Sequence, residues 1–212
     1  MHTPTHTGVG QRFHLSSETN TLETHIRDVV GCIESEEVND EILCCHSYGG
    51  MVITGVADRL GSRIKALVYL DAFIPEHGDT LNGLLGKALA PEVAAMFLGS
   101  FRGSALAGHS GMMQPIPAEV FNVSAPNRAW VDRRCVPQAL ATFEMPLLLE
   151  GGVNPAARRM YILADGWDPS PFRHFAAQCS AKSDWEVVKM ASGHDVMVDL
   201  PDDLATQLMR LA

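Results

Sequence analysis

The chain has 212 residues, 46% of them apolar and 19% charged, which is the length and balance of one globular domain with room for an inserted lid. A formal net charge of −9 argues against a nucleic-acid partner, which calls for a basic face. No run approaches the ~20 apolar residues of a membrane span, and Met1–Thr5 shows no basic segment leading into an apolar one, so no leader peptide is expected.

Five cysteines without a C-x-x-C pair read as free thiols of a reducing cytoplasm. Nine histidines include His2, His6, His14 and His25, and no H-E-x-x-H motif occurs, so no metal is expected.

Residues 1–20 are polar and turn-rich, and Gly8 and Gly10 read as a loop because no strand precedes them. Asn20 with Glu23 three residues on resembles a capping box. Leu22, Ile26, Val29, Val30 and Ile33 then keep one helical face apolar, and Cys32 falls on the same helix. An apolar run through Ile42, Leu43 and Cys44 predicts a buried strand, with Cys44 and Cys45 side by side on it. After Cys45-His46-Ser47-Tyr48-Gly49-Gly50, the spacing of Val52, Val56 and Leu60 predicts a helix that stops at Gly61. Ala66–Phe73 reads as a second buried strand closed by Pro75, so residues 41–74 form a βαβ unit and imply a parallel sheet.

Residues 76–157 break this rhythm, with short helical pieces such as Pro91–Leu98. Met96, Phe97, Phe101, Met112, Met113, Phe121 and Trp130 supply adaptable apolar surface, as core of the segment or as walls of a pocket under a lid. The alternation resumes with a strand at 160–164, a helix at 171–179, a strand at 186–190 and a closing helix carrying Leu204, Leu208 and Leu211.

Strand, sharp turn, helix is the setting in which a serine becomes a nucleophile. The turn at Ser47 lifts its hydroxyl off the sheet, and the helix N-terminus behind it favours developing negative charge. Small residues are required where strand and helix approach. Gly49 and Gly50 meet that need, while Cys45 stands where the G-x-S-x-G pattern has its first glycine. A serine hydroxyl needs a base, and the base an orienting acid. His194, in the loop after the strand at 186–190, fits the base. Two carboxylates compete for the acid. Asp71 ends an apolar strand, where a charge is costly without a partner, and Asp168 lies in the loop after 160–164, where it could equally be a turn residue before Pro169. Asp165 is a more distant candidate, and Asp195 and Asp199 read as loop or helix-start acids.

The runs Ser47–Ile53, Val68–Pro75 and Gly193–Met197 resemble the α/β-hydrolase superfamily, and more narrowly bacterial esterases related to plant methyl esterases and hydroxynitrile lyases, over nearly the whole chain. The resemblance implies an α/β fold: a mostly parallel sheet flanked by helices, with a core of residues 1–75 and 158–212 and a helical lid of 76–157. It implies a cofactor-free carboxylic-ester hydrolase working through an acyl-enzyme. Ser47, His194 and either Asp71 or Asp168 would form the triad, and the backbone N–H of Tyr48 would be one oxyanion donor. Lyase relatives carry a lysine directly after the histidine; Asp195 stands there with the opposite charge, which favours hydrolysis.

Pro4–Gly10 is similar to the family's loop after the fourth strand, so its first strands and the His-Gly loop with the second oxyanion donor are expected to be missing. Losing one such donor costs ~10²–10³ in turnover. The rival expectation is therefore a non-catalytic member kept for binding. The partner expected is a small-molecule ester; neither nucleic acid nor membrane is expected, and a homodimer is compatible with the sequence.

Overall fold

A computed structural model describes residues 1–107, 110–152 and 157–211. Six of the 82 positions of the expected 76–157 segment, 108–109 and 153–156, therefore lie outside the described residues. After a 3-10 segment at Gly10–Leu15, helix α1 spans Leu22–Ser35 and buries Leu22, His25, Ile26, Val29 and Ile33 at helical spacing. Its cap is Thr21 and not Asn20: the Thr21 N–H donates to Thr24 Oγ1 at 3.2 Å, so a threonine fills the box position three residues on.

Strand β1 (Glu41–Ser47) leads into α2 (Gly49–Leu60), and β2 (Ile64–Ala72) follows. All of β2 except Lys65 is buried, as a central parallel strand requires. β1 differs from expectation: Cys45 is buried, but Cys44 is exposed and Ile42 and Leu43 are half-buried, because this strand forms one edge of the sheet. The period-two alternation of a strand separates the two adjacent thiols onto opposite faces.

Between β2 and β5 the chain forms α3 (Leu81–Ala88), α4 (Pro91–Leu106), β3 (Met112–Met113), α5 (Ala125–Asp132), β4 (Gln138–Ala139) and α6 (Ala141–Glu144). The β3 and β4 pair is antiparallel. α4 runs two turns past the expected Leu98, through Gly99 and Gly103, because Phe97, Phe101 and Ala105 continue its buried stripe.

The sheet is completed by β5 (Arg158–Ala164), α7 (Phe172–Ser180) and β6 (Trp185–Met190), followed by α8 (Val196–Asp199) and α9 (Pro201–Met209). Leu211 is buried just beyond the end of α9. β1, β2, β5 and β6 form one parallel sheet in that order. α2 packs on β1 and β2, and α7 on β2, β5 and β6.

Asp58 on α2 ties the approach to β5 in place. Its carboxylate accepts the N–H groups of Glu150, Gly151 and Gly152 at 2.7–2.8 Å. No helix among the described residues is long and apolar enough to cross a membrane.

Candidate active site

Three strand ends build the site. At the end of β1, Ser47 has φ +55°, the left-handed region that a side chain enters at a cost of about 1–3 kcal/mol unless its surroundings enforce it. Two features enforce it here. The Phe73 N–H donates to the Ser47 carbonyl at 3.2 Å. Gly50, in the first turn of α2, lies so close to β2 that a Cβ there would sit 1.9 Å from the Phe73 carbonyl oxygen. Gly49 faces the Cβ of Cys45, at 3.1 Å from where its own would be. The glycine needed at this crossing is thus on the helix side, which leaves space for the small thiol on the strand side.

Asp71 also has a positive φ, +40°, and is wholly buried near the end of β2. Its carboxylate accepts three N–H groups: Oδ1 from Ala164 at 3.1 Å, Oδ2 from the Trp167 indole at 2.9 Å and from His194 Nδ1 at 2.7 Å. Burial pushes the Asp71 carboxyl up, and the indole and backbone donors offset only part of that rise. The buried Tyr161 fixes the next residue, donating to the Ala72 carbonyl at 2.8 Å.

His194 is 3% exposed, held in the loop after β6 by its N–H bond to the Phe121 carbonyl at 2.9 Å. Its ring stacks on Phe172 with centroids 5.1 Å apart and also contacts Trp167 and Phe121. Burial pushes the imidazole down, so it is neutral and, with Nδ1–H given to Asp71, presents an unprotonated Nε2.

Asp168 lies elsewhere. Its side chain is 74% exposed and paired with Arg173 at 3.2 Å. Asp165 pairs with Arg173 as well, and with Lys189 at 3.6 Å. Asp199 accepts from Ser124 and Asn127. Asp195, expected where lyase relatives carry lysine, turns toward His46, with Oδ1 3.8 Å from Nε2.

Ser47, Tyr48 and His194 line one cavity of ≈ 400 Å³. Its walls are largely apolar, with the aromatic rings of Phe73, Phe97, Phe101, Phe143 and Trp167 among them, and Gln114, Gln138 and Arg134 add polar groups from the β2–β5 segment. Phe97, Phe101, Met113 and Phe121 reach the cavity as the sequence suggested. Met96 and Trp130 are instead exposed, Trp130 lying under the Arg134 guanidinium, and Met112 is half-buried.

Sequence reasoning missed the groups behind Tyr48. The His25 Nε2–H donates to the Thr7 carbonyl at 3.0 Å, so its Nδ1 accepts from the Tyr48 hydroxyl at 2.9 Å. The signal was His25 itself, a histidine among the apolar positions of α1. Burial pushes His25 from 6.5 to about 4. The folded state therefore binds fewer protons than the unfolded chain between those values, and stability falls as pH drops through that window. The stability margin of the wild type over His25→Gln is expected to shrink by about 1.4 kcal/mol per pH unit there. Denaturant melts from pH 7 to pH 4 measure it, and a constant margin would show that His25 is not held neutral.

A family model described as the alpha/beta hydrolase family matches residues 2–207. The carbendazim hydrolyzing esterase of Nocardioides sp. (strain SG-4G) is 68% identical over 209 residues, 99% of this chain and 86% of that protein. Among solved structures, an extracellular alpha/beta-hydrolase from a Paenibacillus species has a TM-score of 0.80 at 21% identity, covering 100% of this chain and 86% of the other. A methylesterase from Arabidopsis has a TM-score of 0.70 at 15% identity, covering 97% of this chain and 83% of the other. These two likenesses show the fold.

Proposed function

We propose that this chain, which belongs to the alpha/beta hydrolase family and is a hydrolase of the esterase type, cleaves esters through Ser47, His194 and Asp71 by way of an acyl-enzyme. The observation that carries this reading is the 2.7 Å bond between His194 Nδ1 and a wholly buried Asp71, with His194 and Ser47 lining the same cavity. Ser47 Oγ attacks the ester carbonyl as His194 Nε2 takes its proton. Asp71 keeps the proton on Nδ1 and stabilises the imidazolium that forms. The tetrahedral oxyanion faces the Tyr48 N–H at the start of α2, where the helix dipole favours negative charge. His194 then returns the proton to the departing alkoxide, and a water molecule, activated by the same base, releases the acid.

Residues 76–157 act in this reading as a cap over the cavity. The aromatic walls suit an uncharged substrate with a flat ring, and the relative that is 68% identical makes carbendazim the first compound to assay. Against carbendazim and a panel of p-nitrophenyl and methyl esters, Ser47→Ala is expected to lower kcat by at least ~10⁴. A fluorophosphonate probe is expected to label the wild type and not the variant. Equal turnover by Ser47→Ala would sink the reading.

A further inference from the structure

We propose that His46 is a positioning residue that fastens the loop of the base to the turn of the nucleophile. The inference rests on the esterase reading above. Ser47 and His194 leave the sheet from β1 and β6, its two outermost strands, so two loops must meet across the end of the sheet. His46 bridges them. It directly precedes Ser47, and its Nε2 lies 3.0 Å from the backbone carbonyl of His194. A carbonyl only accepts, so Nε2 carries the proton. The two imidazole rings also pack at 4.1 Å between centroids.

The same carbonyl accepts the Val196 N–H at 3.0 Å. With its N–H on Phe121 and Nδ1–H on Asp71, His194 then has each polar group fixed except Nε2, the atom that must face Ser47. Asp195 places a carboxylate oxygen 3.8 Å from His46 Nε2, on the side where it favours a donor there. Burial pushes the His46 imidazole down, in keeping with a neutral ring that donates from Nε2.

A displacement of about 1 Å between reacting groups can cost ~10² in rate, and His46 is placed to set that distance. Two substitutions separate its hydrogen bond from its packing. His46→Phe keeps a flat ring against His194 and removes the donor; His46→Gln keeps a donor and removes the ring. With a p-nitrophenyl ester, His46→Phe is expected to lower kcat about 10- to 100-fold with KM within about threefold, and His46→Gln to retain most of the wild-type kcat. In proton NMR, the downfield Nδ1–H resonance that His194 shares with Asp71 should persist in His46→Gln and broaden or vanish in His46→Phe.

The reverse pattern, with Phe tolerated and Gln not, overturns the proposal, as do two variants that both behave like the wild type. A loss that follows the melting temperature alike in both variants also overturns it. If the wild type neither turns over esters nor takes the fluorophosphonate, the esterase reading fails, and the resonance comparison still decides whether His46 holds the base.

Discussion

Asp71→Asn is expected to lower kcat by about 10³–10⁴, against about twofold or less for Asp168→Asn, whose exposed pairing with Arg173 is worth little. The size of the first effect follows from what surrounds the carboxylate. Each of its oxygens accepts, and every group that touches it donates: the Ala164 N–H, the Trp167 indole N–H and the His194 Nδ1–H all point at it. An amide in the same place has one oxygen and one NH₂. If the oxygen stays toward Trp167 and His194, the NH₂ meets the Ala164 N–H, donor against donor. If the amide flips, the NH₂ meets the indole and drives the His194 proton from Nδ1 to Nε2, where the base can no longer accept from Ser47.

The first orientation leaves a buried donor unpaired at roughly 1–3 kcal/mol; the second removes the base. Stability and turnover should therefore both fall, and nitrogen NMR of His194 would reveal which orientation is taken. If Asp71→Asn turns over within about tenfold of the wild type, Asp71 is not the orienting acid.

Why two carboxylates competed in the sequence is now a physical matter. Asp71 lies near the end of one apolar strand and Asp168 in the loop after another, and nothing local separates them. The difference is tertiary: Asp71 is enclosed by the β5 end, Trp167 and His194, and Asp168 projects outward beside Arg173. A charge near the end of an apolar strand needs partners, and those of Asp71 come from residues 93 to 123 positions away. Ser47 and His194 were legible because their setting is local: a strand, a turn rich in small residues, and a loop after a strand.

His46 was written beside Ser47, yet its role depends on a carbonyl 148 residues away. Among the strands, β5 is readable from Met160 on as a continuous apolar run, but the composition of β1 predicts burial and does not reveal that it lies at an edge. The two-residue strands β3 and β4 carry no periodicity at all; each exists only through its partner.

The requirement for small residues beside the serine yields the second large effect. Gly50→Ala is expected to destabilise the protein by roughly 3 kcal/mol, the upper part of the usual range for overpacking, and to lower its melting temperature by roughly 6–12 °C. A methyl group at this position would sit 1.9 Å from the Phe73 carbonyl oxygen and 2.9 Å from its carbon. Both atoms belong to a backbone that also donates to Ser47, so no side-chain rotation relieves the overlap. The start of α2 and the end of β2 must move apart; the first directly follows the Ser47 turn and the second carries Asp71.

Turnover should consequently fall further than stability explains, with Ser47 less reactive toward a fluorophosphonate at temperatures where the variant is fully folded. Gly31→Ala provides the contrast. A Cβ there meets nothing within 4 Å, and on α1 the exchange should be neutral or stabilising by up to ~1 kcal/mol. Gly49→Ala should fall between them, since its methyl would meet only the Cys45 Cβ, at 3.1 Å. Thermal melts of the three variants test the order. A Gly50→Ala protein as stable as Gly31→Ala would mean that the close crossing of strand and helix is not what holds the serine turn.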